Sequence, residues 1–144
     1  MSKVIIRDLK DTEKFAKKFA KLLKGGEVIL LSGDLGAGKT TFTRYVLNAL
    51  GVKSEVTSPT FTIMKEYKAK KLNIYHFDMY RISSGQEARE FGLEDYIYAN
   101  NSNNIVFIEW SENISDILNG QFIKISITLT DDGYRCFEID REVK

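Results

Sequence analysis

Val28-Ile29-Leu30-Leu31-Ser32-Gly33-Asp34-Leu35-Gly36-Ala37-Gly38-Lys39-Thr40 is the stretch from which the fold can be read. Its first four residues form a continuous apolar run with Gly25-Gly26 before it and Ser32-Gly33 after it, the pattern of a strand buried on both faces of a parallel sheet. The last eight residues fit G-x-x-x-x-G-K-[ST]. That pattern carries chemistry only where it leaves a strand and opens a helix, because backbone N–H groups then converge on an anion at the helix N-terminus. Residues Lys39 to Leu50 supply the helix, with Phe42, Tyr45, Val46 and Leu50 on one side and Gly51 placed to end it. With strand and helix both in place, the loop is predicted to cradle a phosphate chain. Gly33, Gly36 and Gly38 let the backbone approach the ligand without a Cβ in the way. Lys39 is placed for the β- and γ-phosphates, and the Thr40 hydroxyl for Mg²⁺.

Working outward, Lys3 to Ile6 reads as an edge strand and Asp11 to Lys24 as a helix, with Phe15, Phe19, Leu22 and Leu23 at helical spacing. Beyond the loop helix, Lys53 to Thr60 is polar and holds the one proline, Pro59, so it reads as a loop. Phe61 to Tyr67 and Leu72 to Phe77, joined across Lys68 to Lys71, predict an antiparallel hairpin. Ser83 to Ala99 is helical in part and broken at Gly92. Asn100 to Asn104 leads into Ile105-Val106-Phe107-Ile108, a second fully apolar strand. Phe122 to Thr130 and Tyr134 to Asp140 flank Asp131-Asp132-Gly133 as a terminal hairpin. Together these predict an α/β fold: one small P-loop domain over residues 1–144, with a mostly parallel central sheet, antiparallel edge strands and helices on both faces.

Charge and composition narrow the function. Lys and Arg total 21 against 20 Asp and Glu, a net of +1, so the chain lacks the basic footprint of an independent nucleic-acid binder. Its single cysteine, Cys136, has no intramolecular partner for a disulfide and reads as a small apolar filler. No apolar run approaches the ~18 residues of a spanning helix, and Met1 to Leu9 is interrupted by Lys3, Arg7 and Asp8, which predicts a soluble cytoplasmic protein with no membrane partner.

A phosphate loop needs a carboxylate for its metal, normally at the end of a neighbouring strand. Asp78 ends Ile74-Tyr75-His76-Phe77, and Glu109 ends Ile105 to Ile108; both are candidates, against the plainer reading of solvated strand-end charges. His76 should share a face with Asp78 and reads as a packed, hydrogen-bonded side chain. Trp110 reads as a core or rim aromatic. Thr57, Ser58 and Thr60 surround Pro59 where nucleotide switches place a hydroxyl that senses the γ-phosphate, though an ordinary loop fits as well.

The ordered set Gly33 to Thr41 (GDLGAGKTT), Ser58-Pro59-Thr60-Phe61, His76-Phe77-Asp78-Met79-Tyr80-Arg81, Gly92-Leu93-Glu94-Asp95 and Glu109-Trp110 resembles the TsaE family, also called YjeE. The resemblance runs from about Asp11 to Glu112 and is far more specific than the phosphate loop alone. It implies a bacterial ATPase of tRNA threonylcarbamoyladenosine modification that binds ATP and Mg²⁺ and hydrolyses ATP weakly. Its partners would be the TsaD and TsaB proteins, whose complex it licenses or resets, and tRNA would be met only indirectly. Carried over by position, Gly36, Ala37, Gly38, Lys39, Thr40 and Thr41 would hold the phosphates. Thr40 and Glu109 would hold Mg²⁺, Asp78 would shape catalysis, Thr60 would belong to a switch loop, and Thr12 would lie near the adenine. The terminal hairpin carries no motif of the family.

Weak hydrolysis also fits the residues themselves. An arginine finger is worth ~10³ to 10⁵ in rate, and neither Arg44, on the loop helix, nor Arg81, beyond Asp78, is clearly placed to serve as one. A small nucleoside or nucleotide kinase and an ATP-dependent assembly module without essential turnover are the competing readings.

Overall fold

The structure, a computed structural model, describes residues 2–34, 36–59 and 62–142. Seven strands form one sheet in the order β1-β7-β6-β2-β5-β4-β3. They are β1 (Ser2–Ile6), β2 (Val28–Gly33), β3 (Met64–Ala69), β4 (Leu72–Asp78), β5 (Asn104–Glu109), β6 (Phe122–Leu129) and β7 (Arg135–Glu142). The helices are α1 (Leu9–Ala20), α2 (Lys39–Leu50), α3 (Gly85–Glu90) and α4 (Leu93–Ile97), and a 3₁₀ segment covers Ser111–Ile117.

The apolar run of β2 takes the centre because both of its faces are buried. Ile29 and Leu31 pack with Phe19 of α1 and Phe42, Val46 and Leu47 of α2. Val28 and Leu30 face the opposite layer, where Ala88, Leu93, Ile97, Ile114 and Ile117 cover them together with Val106 and Ile108. Period-two alternation thus divides one strand between two cores. Parallel pairing sets β2 beside β5 with Val28 opposite Val106, and beside β6 with Ile29 opposite Ile123. β4 runs parallel to β5, which brings Asp78 opposite Glu109. The predicted mixed α/β fold with helices on both faces is the one observed.

Local differences have local causes. Helix α1 starts at Leu9, because Asp8 caps it by accepting from the Asp11 N–H at 2.8 Å. It ends at Ala20 rather than Lys24: Leu22 and Leu23 donate to carbonyls three residues back, a tightened turn that buries Leu23 and leaves Leu22 exposed. Strand β3 begins at Met64, since the Thr62 and Ile63 N–H groups bond back to Pro59 in a turn; Phe61, where the strand was expected to start, lies outside the described residues. The terminal hairpin exists, with β6 and β7 antiparallel, but β6 also joins the parallel centre. Its polar positions Lys124, Ser126 and Thr128 interrupt the apolar run that would have marked it as buried on both faces.

Candidate functional site

The C-terminal ends of β2, β4 and β5 open into a cleft of about 310 Å³. In open α/β sheets ligands bind at this end of the strands. Between β2 and α2 the chain turns sharply, and Gly33 is required there: a Cβ on it would lie 2.6 Å from the Ile127 carbonyl oxygen, and its φ is 148°. Gly38, at φ 109°, caps α2 without a side-chain hydrogen bond, so no side chain competes for the first N–H groups of the helix.

Lys39 is buried, and its ammonium folds back onto the loop. It donates to the Gly33 carbonyl and, at 3.1 Å, to that of Asp34, and lies 4.2 Å from the centre of the Trp110 ring. Desolvation pulls its pKa below the usual 10.5, while Glu109, Glu112, Asp78 and Asp34 pull the other way. The Thr40 hydroxyl donates to Glu109, lying 3.0 Å from each carboxylate oxygen. Glu109 is in turn held by His76 Nε2 at 2.5 Å, with His76 fully buried. A buried carboxylate is thus held by a second side chain besides Thr40, as ligating groups commonly are. Asp78 accepts from the Tyr80 N–H at 2.9 Å and from the Ser58 hydroxyl at 3.4 Å. Trp110 takes a left-handed backbone, φ 58°, as the chain leaves β5, and packs at a tilt against Tyr80 at the cleft rim, with 5.0 Å between ring centres and 53° between ring planes.

Of the residues singled out from sequence, Thr12, Gly36, Ala37, Gly38, Lys39, Thr40, Thr41, Asp78 and Glu109 all line the cleft. Gly33 is not part of its wall; its carbonyl holds Lys39 from behind. Thr12 is buried and donates to the Asp8 carbonyl at 3.3 Å. Thr60 lies outside the described residues. Arg44 and Arg81 are exposed and do not line the cleft. Arg135, which no motif announced, does. The signal that could have found it is its alternation with Phe137 at the start of β7, which points both toward the loop. His76 reads correctly as packed and hydrogen-bonded, and its partner, Glu109, gives that packing a role.

Thr40 and Glu109 offer hard oxygen donors side by side, the type of donor Mg²⁺ takes in small number from a protein when phosphates supply others. Among the described residues no three His, Cys, Asp or Glu side chains form a metal cage. No helix among them is long and apolar enough to cross a membrane.

Comparison with known proteins adds a relationship to this geometry. A family model described as threonylcarbamoyl adenosine biosynthesis protein TsaE matches residues 6–137. The tRNA threonylcarbamoyladenosine biosynthesis protein TsaE of Rickettsia prowazekii is 42% identical over 134 residues, spanning 92% of this chain and 90% of that protein. Its counterpart in Bacillus subtilis is 39% identical over 125 residues, spanning 87% and 76%. A crystal structure of Bacillus subtilis YdiB aligns with a TM-score of 0.81 at 33% identity, covering 99% of this chain and 86% of that one.

Proposed function

The chain belongs to the TsaE family of tRNA threonylcarbamoyladenosine biosynthesis, and from that premise we propose that it binds ATP with Mg²⁺ in the cleft, hydrolyses it weakly, and works in the cytoplasm with TsaD and TsaB to license or reset their complex. The observation that carries this reading is the pairing of Thr40 with Glu109 beside Lys39, at the mouth of a loop whose helix N-terminus is open. A structural Gly-rich turn has no use for a buried lysine and a buried carboxylate at the same spot.

The phosphates lie over the N-terminus of α2, received by the N–H groups of residues Gly36 to Thr41. Lys39 leaves the Gly33 and Asp34 carbonyls for phosphate oxygens, whose charge restores to the ammonium what desolvation removed. Thr40 and Glu109 would hold Mg²⁺, and the ion would supply positive charge to offset the charge of the phosphates. His76 keeps Glu109 aimed at that position. Asp78, oriented by the Tyr80 N–H and the Ser58 hydroxyl, accepts a hydrogen bond from the attacking water.

Turnover is slow because the carboxylate end of the cleft has no arginine among the described residues lining it. A partner that supplies or orders a cation there raises the rate. The test is ATP hydrolysis with Mg²⁺, alone and across a saturating titration of TsaD with TsaB. A low basal rate that climbs with the complex is expected. A rate indifferent to those proteins would remove the partner from the proposal, and absence of hydrolysis under both conditions would remove turnover.

A further inference from the structure

The sheet ends on one side at β1, which among the described residues pairs with β7 alone. The Thr130 N–H bonds to the Tyr134 carbonyl, so β7 turns the backbone groups of Tyr134 and Cys136 toward β6 and those of Arg135, Phe137 and Ile139 toward β1. Their partners on β1 are Ile6, Val4 and Ser2, which leaves the N–H and C=O groups of Lys3 and Ile5 pointing away from the sheet. Such an edge is a template for a further strand, and chains commonly guard it with charge. The opposite edge is guarded in that way, β3 carrying Lys65, Glu66 and Lys68. In β1 a single charged residue, Lys3, precedes Val4-Ile5-Ile6, and Ile5 is 46% exposed.

Beside this edge, between β1 and α1, runs a groove of about 420 Å³ whose apolar lining includes Val4, Phe15, Phe19, Leu22 and Ile139. Leu22 is 62% exposed. Four charged residues border the groove. Asp11 is already engaged, accepting from the Arg7 N–H at 3.0 Å, whereas Arg7, Lys14 and Lys18 form no ion pair among the described residues. Lys14 and Lys18 stand four residues apart and so share one face of α1. The groove is apolar within and positive at its rim.

We propose that β1 and this groove receive an extended segment of a partner protein, added to the sheet as a further strand. The backbone of the segment pairs with the outward groups of Lys3 and Ile5, its alternate apolar side chains enter the groove, and its Asp or Glu residues meet Arg7, Lys14 and Lys18. In this mode of recognition main-chain hydrogen bonds supply affinity and the side-chain groove supplies specificity. Charge decides the occupant. A second copy of this chain docked edge to edge across a two-fold axis would set one rim of Arg7, Lys14 and Lys18 against its twin, a like-charge arrangement that costs binding. The inference is independent of the nucleotide reading, since none of these groups lines the cleft at the phosphate loop.

The test is selection from a displayed library of random peptides about nine residues long, enough to span β1 with overhang. Wild type is the target and the double variant Lys14→Glu with Lys18→Glu the counter-target, thermal denaturation showing that both are folded. Enriched sequences should alternate apolar residues with Asp or Glu. The most enriched peptide, synthesised and titrated by fluorescence anisotropy, should bind the double variant at least ~4-fold more weakly, as two exposed attractions become repulsions. Saturation with that peptide should slow amide exchange at Lys3 and Ile5 ~10-fold or more, because pairing withdraws both N–H groups from water. Failure to enrich any sequence, enrichment of basic or non-alternating ones, or unchanged exchange at Lys3 and Ile5 would each overturn the inference. Sedimentation showing a wild-type dimer that the peptide dissociates would overturn it in favour of a second copy.

Discussion

The two ends of the parallel strands differ in a way that cavity size does not disclose. At the N-terminal ends of β2, β5 and β6 lies a depression of about 470 Å³, larger than the cleft of about 310 Å³ at the opposite end. Its wall is built from Gly25, Gly26, Asn100, Asn101, Asn119 and neighbours, with one carboxylate, Glu27, that accepts from the Lys24 and Gly25 N–H groups. The smaller cleft buries Lys39, Asp78 and Glu109. Buried charge is costly unless it is paired, so a cluster of it marks a site where something other than folding sets the composition. Volume alone would have selected the other end.

The comparison can be sharpened by perturbing each end. Among changes outside the phosphate loop, the largest effect should come from His76→Leu, which removes the donor that orients Glu109 but fills similar space. Loss of such a supporting contact typically lowers metal affinity ~10- to 100-fold, so the Mg²⁺ concentration for half-maximal hydrolysis should rise by that factor. An unchanged Mg²⁺ dependence would separate Glu109 from the metal. At the other end, Gly25→Ala should cost stability and leave ligand binding alone. Gly25 has φ +118°, and a Cβ there would lie 1.9 Å from the Ser102 carbonyl oxygen. The overpacking and strain should lower unfolding free energy by ~1–3 kcal/mol in urea titrations, with ATP affinity of the folded protein unaltered. Loss of both together would mean that the two ends are coupled.

The smallest effect concerns pH. Because desolvation lowers the folded pKa of Lys39 below 10.5, the unfolded chain holds the proton more tightly. Between the two pKa values the unfolded state binds more protons, so this residue makes stability rise with pH across that interval. Below the folded pKa its penalty is constant. Denaturant midpoints for wild type should gain on those of Lys39→Met as alkaline pH approaches 10.5, and parallel profiles would contradict the burial of this ammonium.

Much of this was legible in the residues because local pattern and global position coincided. Helix α2 and the apolar part of β5 are bounded as the sequence implies, since Gly38, Gly51 and an unbroken apolar run are strong local signals. On their residues alone Asp78 and Glu109 were both candidates, and the resemblance paired Glu109 with Thr40; parallel pairing of β4 with β5 makes the two carboxylates neighbours, and the hydrogen bond from Thr40 goes to Glu109. Less readable were features created by tertiary contact. The parallel role of β6 is hidden by its polar positions, the 3₁₀ segment at Ser111–Ile117 has no clear helical period, and Arg135 reaches the loop only because β7 folds back beside β6.

The central claim is that the cleft at the C-terminal strand ends, and not the larger depression opposite, binds Mg-ATP. Calorimetric titration of Mg-ATP into wild type, Lys39→Ala and the double variant Asn101→Ala with Asn119→Ala addresses it directly. Binding abolished in the lysine variant and kept within about twofold in the asparagine variant is the expected result, Lys39 being the cation that meets the phosphates. Binding that survives loss of Lys39 but fails in the asparagine variant would contradict it.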